Sequence, residues 1–161
     1  MLPRAFRRHT FELSRRYSSN ALVANTHRDY SGTPLPKKLG VREGSRVLVA
    51  GAPDRFRLQP IPNRVELVAR VRAPLDVVLF FVTRDSELRR RFPGLARALA
   101  PAGRLWVAWP KKASGIATDL TFETLRRVGL DSGLVDNKSG SLDDEIQGVQ
   151  FVYRLKDRTS R

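Results

Sequence analysis

The apolar residues of this chain come in short blocks whose period changes along the sequence. Val47, Leu48, Val49 and Ala50 form a compact run between Arg46 and Gly51, which predicts a buried strand over 46–50. Between 65 and 71, Val65, Leu67, Ala69 and Val71 alternate with Glu66, Val68 and Arg70, so a half-buried strand is expected there. Residues 75–82 are apolar on both faces apart from Asp76, the pattern of a strand covered on both sides in a parallel sheet. The period then lengthens. Leu88, Phe92, Leu95 and Leu99 fall at i, i+4, i+7 and i+11 and predict one face of a helix. Asp85 or Ser86 is placed to cap it, Pro93 to split or kink it, and Pro101-Ala102-Gly103 to stop it. A fourth strand is expected at 104–109. A second helix follows at 121–128, burying Phe122, Leu125 and Val128 and ending at Gly129. Two further strands, 134–138 and 150–155, are joined by a segment with no helical period, which predicts an antiparallel pair at one edge.

Strands that alternate with helical stretches imply βαβ units and a mostly parallel sheet. The first crossover, 51–64, holds three prolines and no helical pattern, so it is expected to be short and irregular. Upstream, Pro36-Lys37-Lys38-Leu39 before Gly40 suits a single helical turn. The expected fold class is therefore α/β, a three-layer sandwich with an antiparallel C-terminal edge. It would form one domain over 30–155, with a frayed polar tail at 156–161. Residues 1–29 read as a basic, disordered arm outside that domain, with six arginines against Glu12 and Asp29. Two readings of the arm stay open: a mitochondrial transit peptide, basic and acid-poor, or an over-long start whose true first residue is Val23.

Composition narrows the chemistry. There is no cysteine, and the two histidines, His9 and His27, both lie in the arm. Thiolate chemistry, disulfides and cysteine-ligated zinc are excluded, and histidine-based triads and metal sites are excluded from the domain. General acid–base work would fall to Asp, Glu, Lys or Tyr. The longest apolar run, residues 77–82, is strand-sized, so no membrane span is expected. Net charge is +14, of which the arm supplies +4. That balance favours anionic partners, including non-specific association with nucleic acid.

The order from Leu75 onward resembles the second half of a Rossmann-like class I methyltransferase domain. A strand, a helix running into Leu99-Ala100-Pro101-Ala102-Gly103, a strand, a helix ending in glycine and a final hairpin follow one another. Such a domain places a glycine-rich loop after its first strand and an acidic residue at the end of its second, to hold S-adenosylmethionine. Here those places carry Ala50-Gly51-Ala52-Pro53 and Arg70-Val71-Arg72. The resemblance thus implies the fold, while these two departures weigh against S-adenosylmethionine in its usual pose, and the cofactor is left unassigned. The chain is also similar to a small bacterial family of unknown function. The likeness rests on Tyr30-Ser31-Gly32-Thr33-Pro34-Leu35-Pro36-Lys37-Lys38-Leu39-Gly40, on residues 106–115 (Trp-Val-Ala-Trp-Pro-Lys-Lys-Ala-Ser-Gly) and on Gly133-Leu134-Val135-Asp136-Asn137-Lys138. It implies a cytoplasmic protein; a mitochondrial one follows if residues 1–22 are a transit peptide. Residues 139–148 are more polar than that likeness leads one to expect.

The leading candidate site is the loop that leaves the fourth strand at its carboxyl end, where open α/β sheets bind ligands. Lys111 and Lys112 offer two ammonium groups, Ser114 and Thr118 two hydroxyls, and Asp119 stands before the next helix. The set suits a phosphate or carboxylate. Tyr30, Ser31, Thr33, Lys37 and Lys38 would join it if the N-terminal segment folds over the same edge, and four converging lysines would call for an anion. Asp136 and Lys138 are expected to pair within the chain or to be exposed. Asp143, Asp144 and Glu145 are expected to form a solvated loop, since they meet no metal-ligand spacing. Trp106 and Trp109 should lie on opposite faces of their strand. No catalytic residue and no metal site is assigned. The expected function is a non-catalytic module that binds an anionic small molecule or a protein partner. The alternatives are a methyltransferase-like transferase with an atypical S-adenosylmethionine site and a charge-driven nucleic-acid-associated protein.

Overall fold

The computed structural model describes residues 33–54 and 56–161. A short helix α1 (Leu35–Leu39) leads into strand β1 (Arg46–Ala50), and an irregular crossover reaches β2 (Glu66–Val68). Strand β3 (Leu75–Phe81), helix α2 (Asp85–Ala98) and strand β4 (Leu99–Pro110) follow. A 3₁₀ turn (Lys112–Ser114) precedes helix α3 (Phe122–Asp131), the hairpin β5 (Leu134–Ser141) and β6 (Ile146–Tyr153), and a terminal turn α4 (Leu155–Arg158). The six strands form one sheet in the order β2-β1-β3-β4-β6-β5. The β1–β2, β1–β3 and β3–β4 pairs are parallel, and β6 pairs antiparallel with both β4 and β5. This is the mostly parallel α/β sheet with an antiparallel C-terminal edge that the patterning predicts.

The period-2 rule divides the core. Leu48, Val78, Phe80, Leu105, Val107, Trp109, Val149 and Phe151 point to one face, where Leu88, Phe92 and Leu95 of α2 and Leu125 and Val128 of α3 cover them. Val47, Val77, Leu79, Phe81, Trp106 and Ala108 point to the other, under α1, Phe56, Leu58, Ile116 and Leu142. Trp106 and Trp109 therefore do lie on opposite faces. The first face is closed by two multi-turn helices. The second is closed mainly by loop residues, because the proline-rich crossover cannot form a helix.

Several boundaries differ from the sequence expectation, each for a local reason. Helix α2 runs unbroken through Pro93, since Phe92, Leu95 and Ala96 on either side are fully buried and hold the turn. Neither Asp85 nor Ser86 caps it: both lie inside the helix, Arg84 is the N-cap, and the Asp85 N–H donates to Asp119 Oδ1 at 2.7 Å. Pro101-Ala102-Gly103 does not stop that helix but lies within β4, where a register shift against β3 absorbs the extra residues. Helix α3 continues past Gly129, which sits beneath Phe151 with no room for a side chain: a Cβ there would come within 2.4 Å of the ring. Phe122, expected inside, is 43% exposed in the first turn of α3. Strand β2 is shorter than 65–71 and the hairpin is tighter, with β5 reaching Ser141 and β6 beginning at Ile146. Leu155 opens a helical turn and is no strand residue. In the tail, the Arg161 guanidinium lies 3.9 Å from the centre of the Tyr153 ring.

Candidate functional site

Between β1 and β3 the chain reverses its direction of travel across the sheet, because β2 lies to one side of β1 and β3 and β4 to the other. At such a switch point the carboxyl ends of the strands diverge and leave a crevice for a ligand. Gly51 follows β1 there with φ +71°, a conformation glycine adopts without strain. Its open side faces the Phe81 carbonyl oxygen, which a Cβ would meet at 2.5 Å. The glycine thus serves a close approach of β1 to β3. Beyond it, Pro53 and Phe56 are buried, and the Phe56 ring meets Phe81 edge-on at 5.1 Å. The loop after β1 folds onto the second face of the sheet. After β2, Arg70 and Arg72 are exposed, and no carboxylate stands in that segment to take a ribose. These residues do not fit S-adenosylmethionine in its usual pose.

Two buried side-chain donors near the ends of β3 and β4 have no hydrogen-bond partner among the described residues. The Thr83 hydroxyl, two residues past the end of β3, is buried without a hydrogen-bond partner among the described residues. So is the indole Nε1 of Trp109, near the end of β4. A buried donor without a partner is costly, so each is a point where a ligand or water would be gained. The Thr83 backbone carbonyl, by contrast, accepts from Thr118 Oγ1 at 2.6 Å. Sequence reasoning missed both groups. Thr83 closes an apolar run, and that polar ending was the only available signal.

The residues expected to bind an anion are largely engaged within the chain. Lys111 Nζ donates to Ser141 Oγ and to the Asp143 carbonyl, both at 2.6 Å. Lys38 Nζ reaches the Ser141 carbonyl at 2.6 Å. One lysine from each pair therefore meets at Ser141, and the oxygens that receive them belong to the β5–β6 hairpin. Ser114 Oγ donates to the Lys111 carbonyl, and Thr118 Oγ1 accepts from the Leu120 N–H. Asp119 caps α2 and so supplies the negative charge that a helix N-terminus attracts. Lys37 and Lys112 extend into solvent. Tyr30 and Ser31 lie outside the described residues. Asp136 pairs with Arg126 at 3.4 Å, while Lys138 is exposed. Asp143, expected in a solvated loop, is buried, and its Oδ1 accepts from the Glu145 and Ile146 N–H groups to shape the hairpin turn. Among the described residues no three His, Cys, Asp or Glu are grouped to hold a metal ion, and no helix is long and apolar enough to cross a membrane.

No protein-family model and no curated protein matches the sequence. Solved structures do match. Magnesium protoporphyrin IX methyltransferase (ChlM) from Synechocystis PCC 6803 with bound SAM superposes with a TM-score of 0.54 at 11% identity, over 84% of this chain and 83% of that one. A TehB-like SAM-dependent methyltransferase from Corynebacterium glutamicum gives 0.51 at 11% identity, over 88% and 98%. The pyocyanin biosynthetic protein PhzM gives 0.52 at 14% identity, over 79% and 56%. At such identities the likeness speaks for architecture alone: the chain has the Rossmann-like fold of these methyltransferases.

Proposed function

We propose that this chain is a methyltransferase-like domain that takes an adenosyl ligand at the carboxyl edge of its sheet, in a pose that differs from the usual one. The buried hydroxyl of Thr83, unpartnered beside the β1/β3 switch point, is the observation that carries the reading. Trp109 Nε1 supports it from the next strand. The fold neighbours support it too, since one of them carries SAM and another is described as SAM-dependent. In this pose the ligand would be held by Thr83 and by backbone near Gly51, with no glycine-rich cradle and no ribose-binding carboxylate.

The test is thermal unfolding in about 150 mM salt with S-adenosylmethionine and S-adenosylhomocysteine. A ligand at about a hundred times its dissociation constant adds roughly 2.7 kcal/mol, which raises the midpoint of a domain this size by about 5–10 °C. That shift is expected for the wild type and should shrink in Thr83→Val, which keeps the shape and removes the hydroxyl. No shift with either compound would overturn the proposal.

A further inference from the structure

We propose that the opposite, amino-terminal edge of the sheet holds a second binding site, for a small molecule bearing oxyanion groups. It rests on the juxtaposition of a buried, unpartnered amide with uncommitted cations around one cavity. The cavity has a volume of about 570 Å³, the size of a small-molecule site. Its walls come from the segment between α1 and β1, the starts of β3 and β4, the β5–β6 pair and α4.

Gln150 lines the cavity and is 1% exposed, and its Nε2 has no hydrogen-bond partner among the described residues. In register it lies between Trp106 on β4 and Lys138 on β5. Trp106 gives it no help, because the indole N–H already donates to the Leu39 carbonyl at 2.9 Å. A buried amide without a partner among the described residues thus stands in the cavity wall, and its N–H groups call for an acceptor.

The charges around it point the same way. Arg42, Arg104, Lys138 and Arg158 line the cavity against Glu43 and Asp76. Glu43 pairs with Arg64 at 3.7 Å and Asp76 accepts from the Arg46 backbone N–H at 2.8 Å, so four cations face two acids around the cavity and the lining stays positive. Arg158 donates through Nε to the Tyr153 carbonyl at 3.1 Å. The Arg42, Arg104 and Lys138 side chains have no ion pair or hydrogen bond among the described residues. Arg104 is also packed closely on one side. Gly40, in a left-handed conformation at the end of α1, lies directly over its guanidinium, and a Cβ there would come within 1.8 Å of it. A cation packed against backbone on one side, with no ion pair among the described residues, is available to an anion. The site is separate from the carboxyl edge, since Arg104 and Trp109 stand five residues apart on β4, about 17 Å along the strand.

Calorimetric titration of the full chain with inorganic pyrophosphate and with citrate, in about 150 mM salt, tests the site. Saturable one-to-one binding of pyrophosphate marks a phosphate-bearing ligand, and binding of citrate marks a polycarboxylate; either supports the proposal. Arg104→Met and Gln150→Met should each weaken it about tenfold or more, and Lys138→Gln, an exposed change that leaves the core intact, should weaken it measurably. Lys112→Gln at the other edge should not. Failure of both probes to bind overturns the proposal. So does binding that responds to Lys112→Gln as much as to Lys138→Gln, the mark of diffuse surface charge. Because Arg104→Met leaves the carboxyl edge intact, an adenosyl-induced thermal shift in that variant is read independently of this site.

Discussion

At the carboxyl edge of the sheet, Lys38 and Lys111 both end on Ser141, and Asp119 closes the N-terminus of α2. At the amino edge, Arg104 and Lys138 have no ion pair or hydrogen bond among the described residues, and the amide of Gln150 is buried without a partner among them. The edge with the better sequence signal for anion binding has thus directed most of that chemistry into holding its own loops. The edge with the weaker sequence signal has kept its cations available. Adjacent lysines in a sequence say that charge is present. Only the tertiary acceptors decide whether that charge is available to a ligand.

Breaking the carboxyl edge at its tightest point should have the largest effect. Gly51→Ala combines a left-handed backbone with a Cβ 2.5 Å from the Phe81 carbonyl, so β1 must move away from β3. A loss of about 3 kcal/mol or more is expected in denaturant unfolding. Asp119→Ala removes the side-chain acceptor of the Asp85 N–H and should cost about 1 kcal/mol by the same measurement. Arg104→Met at the amino edge should change stability by less than about 0.5 kcal/mol, because no ion pair or hydrogen bond among the described residues is lost. A cost comparable to that of Asp119→Ala would mean that Arg104 is structural and would erase the contrast between the edges.

Tyr153 sharpens the comparison by supplying a committed polar group at the amino edge. Its hydroxyl donates to the Ala96 carbonyl at 2.6 Å and ties the end of β6 to α2. Burial pushes its ionisation above the ordinary value of 10.0, while the charges of Arg161 and Arg97 pull it back. A raised folded-state pKa favours the neutral phenol in the native protein. Its contribution is therefore complete below pH 10 and is lost as the pH rises from there through the folded-state value. Tyr153→Phe should flatten the alkaline end of the stability–pH curve and leave a loss of about 1 kcal/mol at neutral pH.

Much of this architecture was legible because local signals agreed. Strand β1 is readable from one apolar block between Arg46 and Gly51, and the α2 face from Leu88, Phe92 and Leu95. The hairpin was not, since Ser139, Gly140 and Ser141 carry no strand propensity and pair only because Val149, Gly148 and Gln147 lie opposite. Gly129 reads as a helix stop, yet it is a glycine because Phe151 needs its space. The candidate loop was legible by residue type. Its commitments were not, because the acceptors of Lys111 lie about thirty residues away, one a hydroxyl and the other a main-chain carbonyl. Gln150 was hidden for the opposite reason: one polar residue in the run Val149-Gln150-Phe151-Val152 looks like solvent-facing alternation, and only the fold shows that it is buried.

The most direct test is an amide NMR titration of the full chain, first with S-adenosylhomocysteine and then with pyrophosphate. The account predicts two separate footprints. The adenosyl compound should move Gly51, Thr83 and the Trp109 indole N–H, and pyrophosphate should move Gly40, Lys138 and the Gln150 side-chain amide. An adenosyl compound that leaves Thr83 and Gly51 unmoved, or one scattered footprint shared by both ligands, would contradict it.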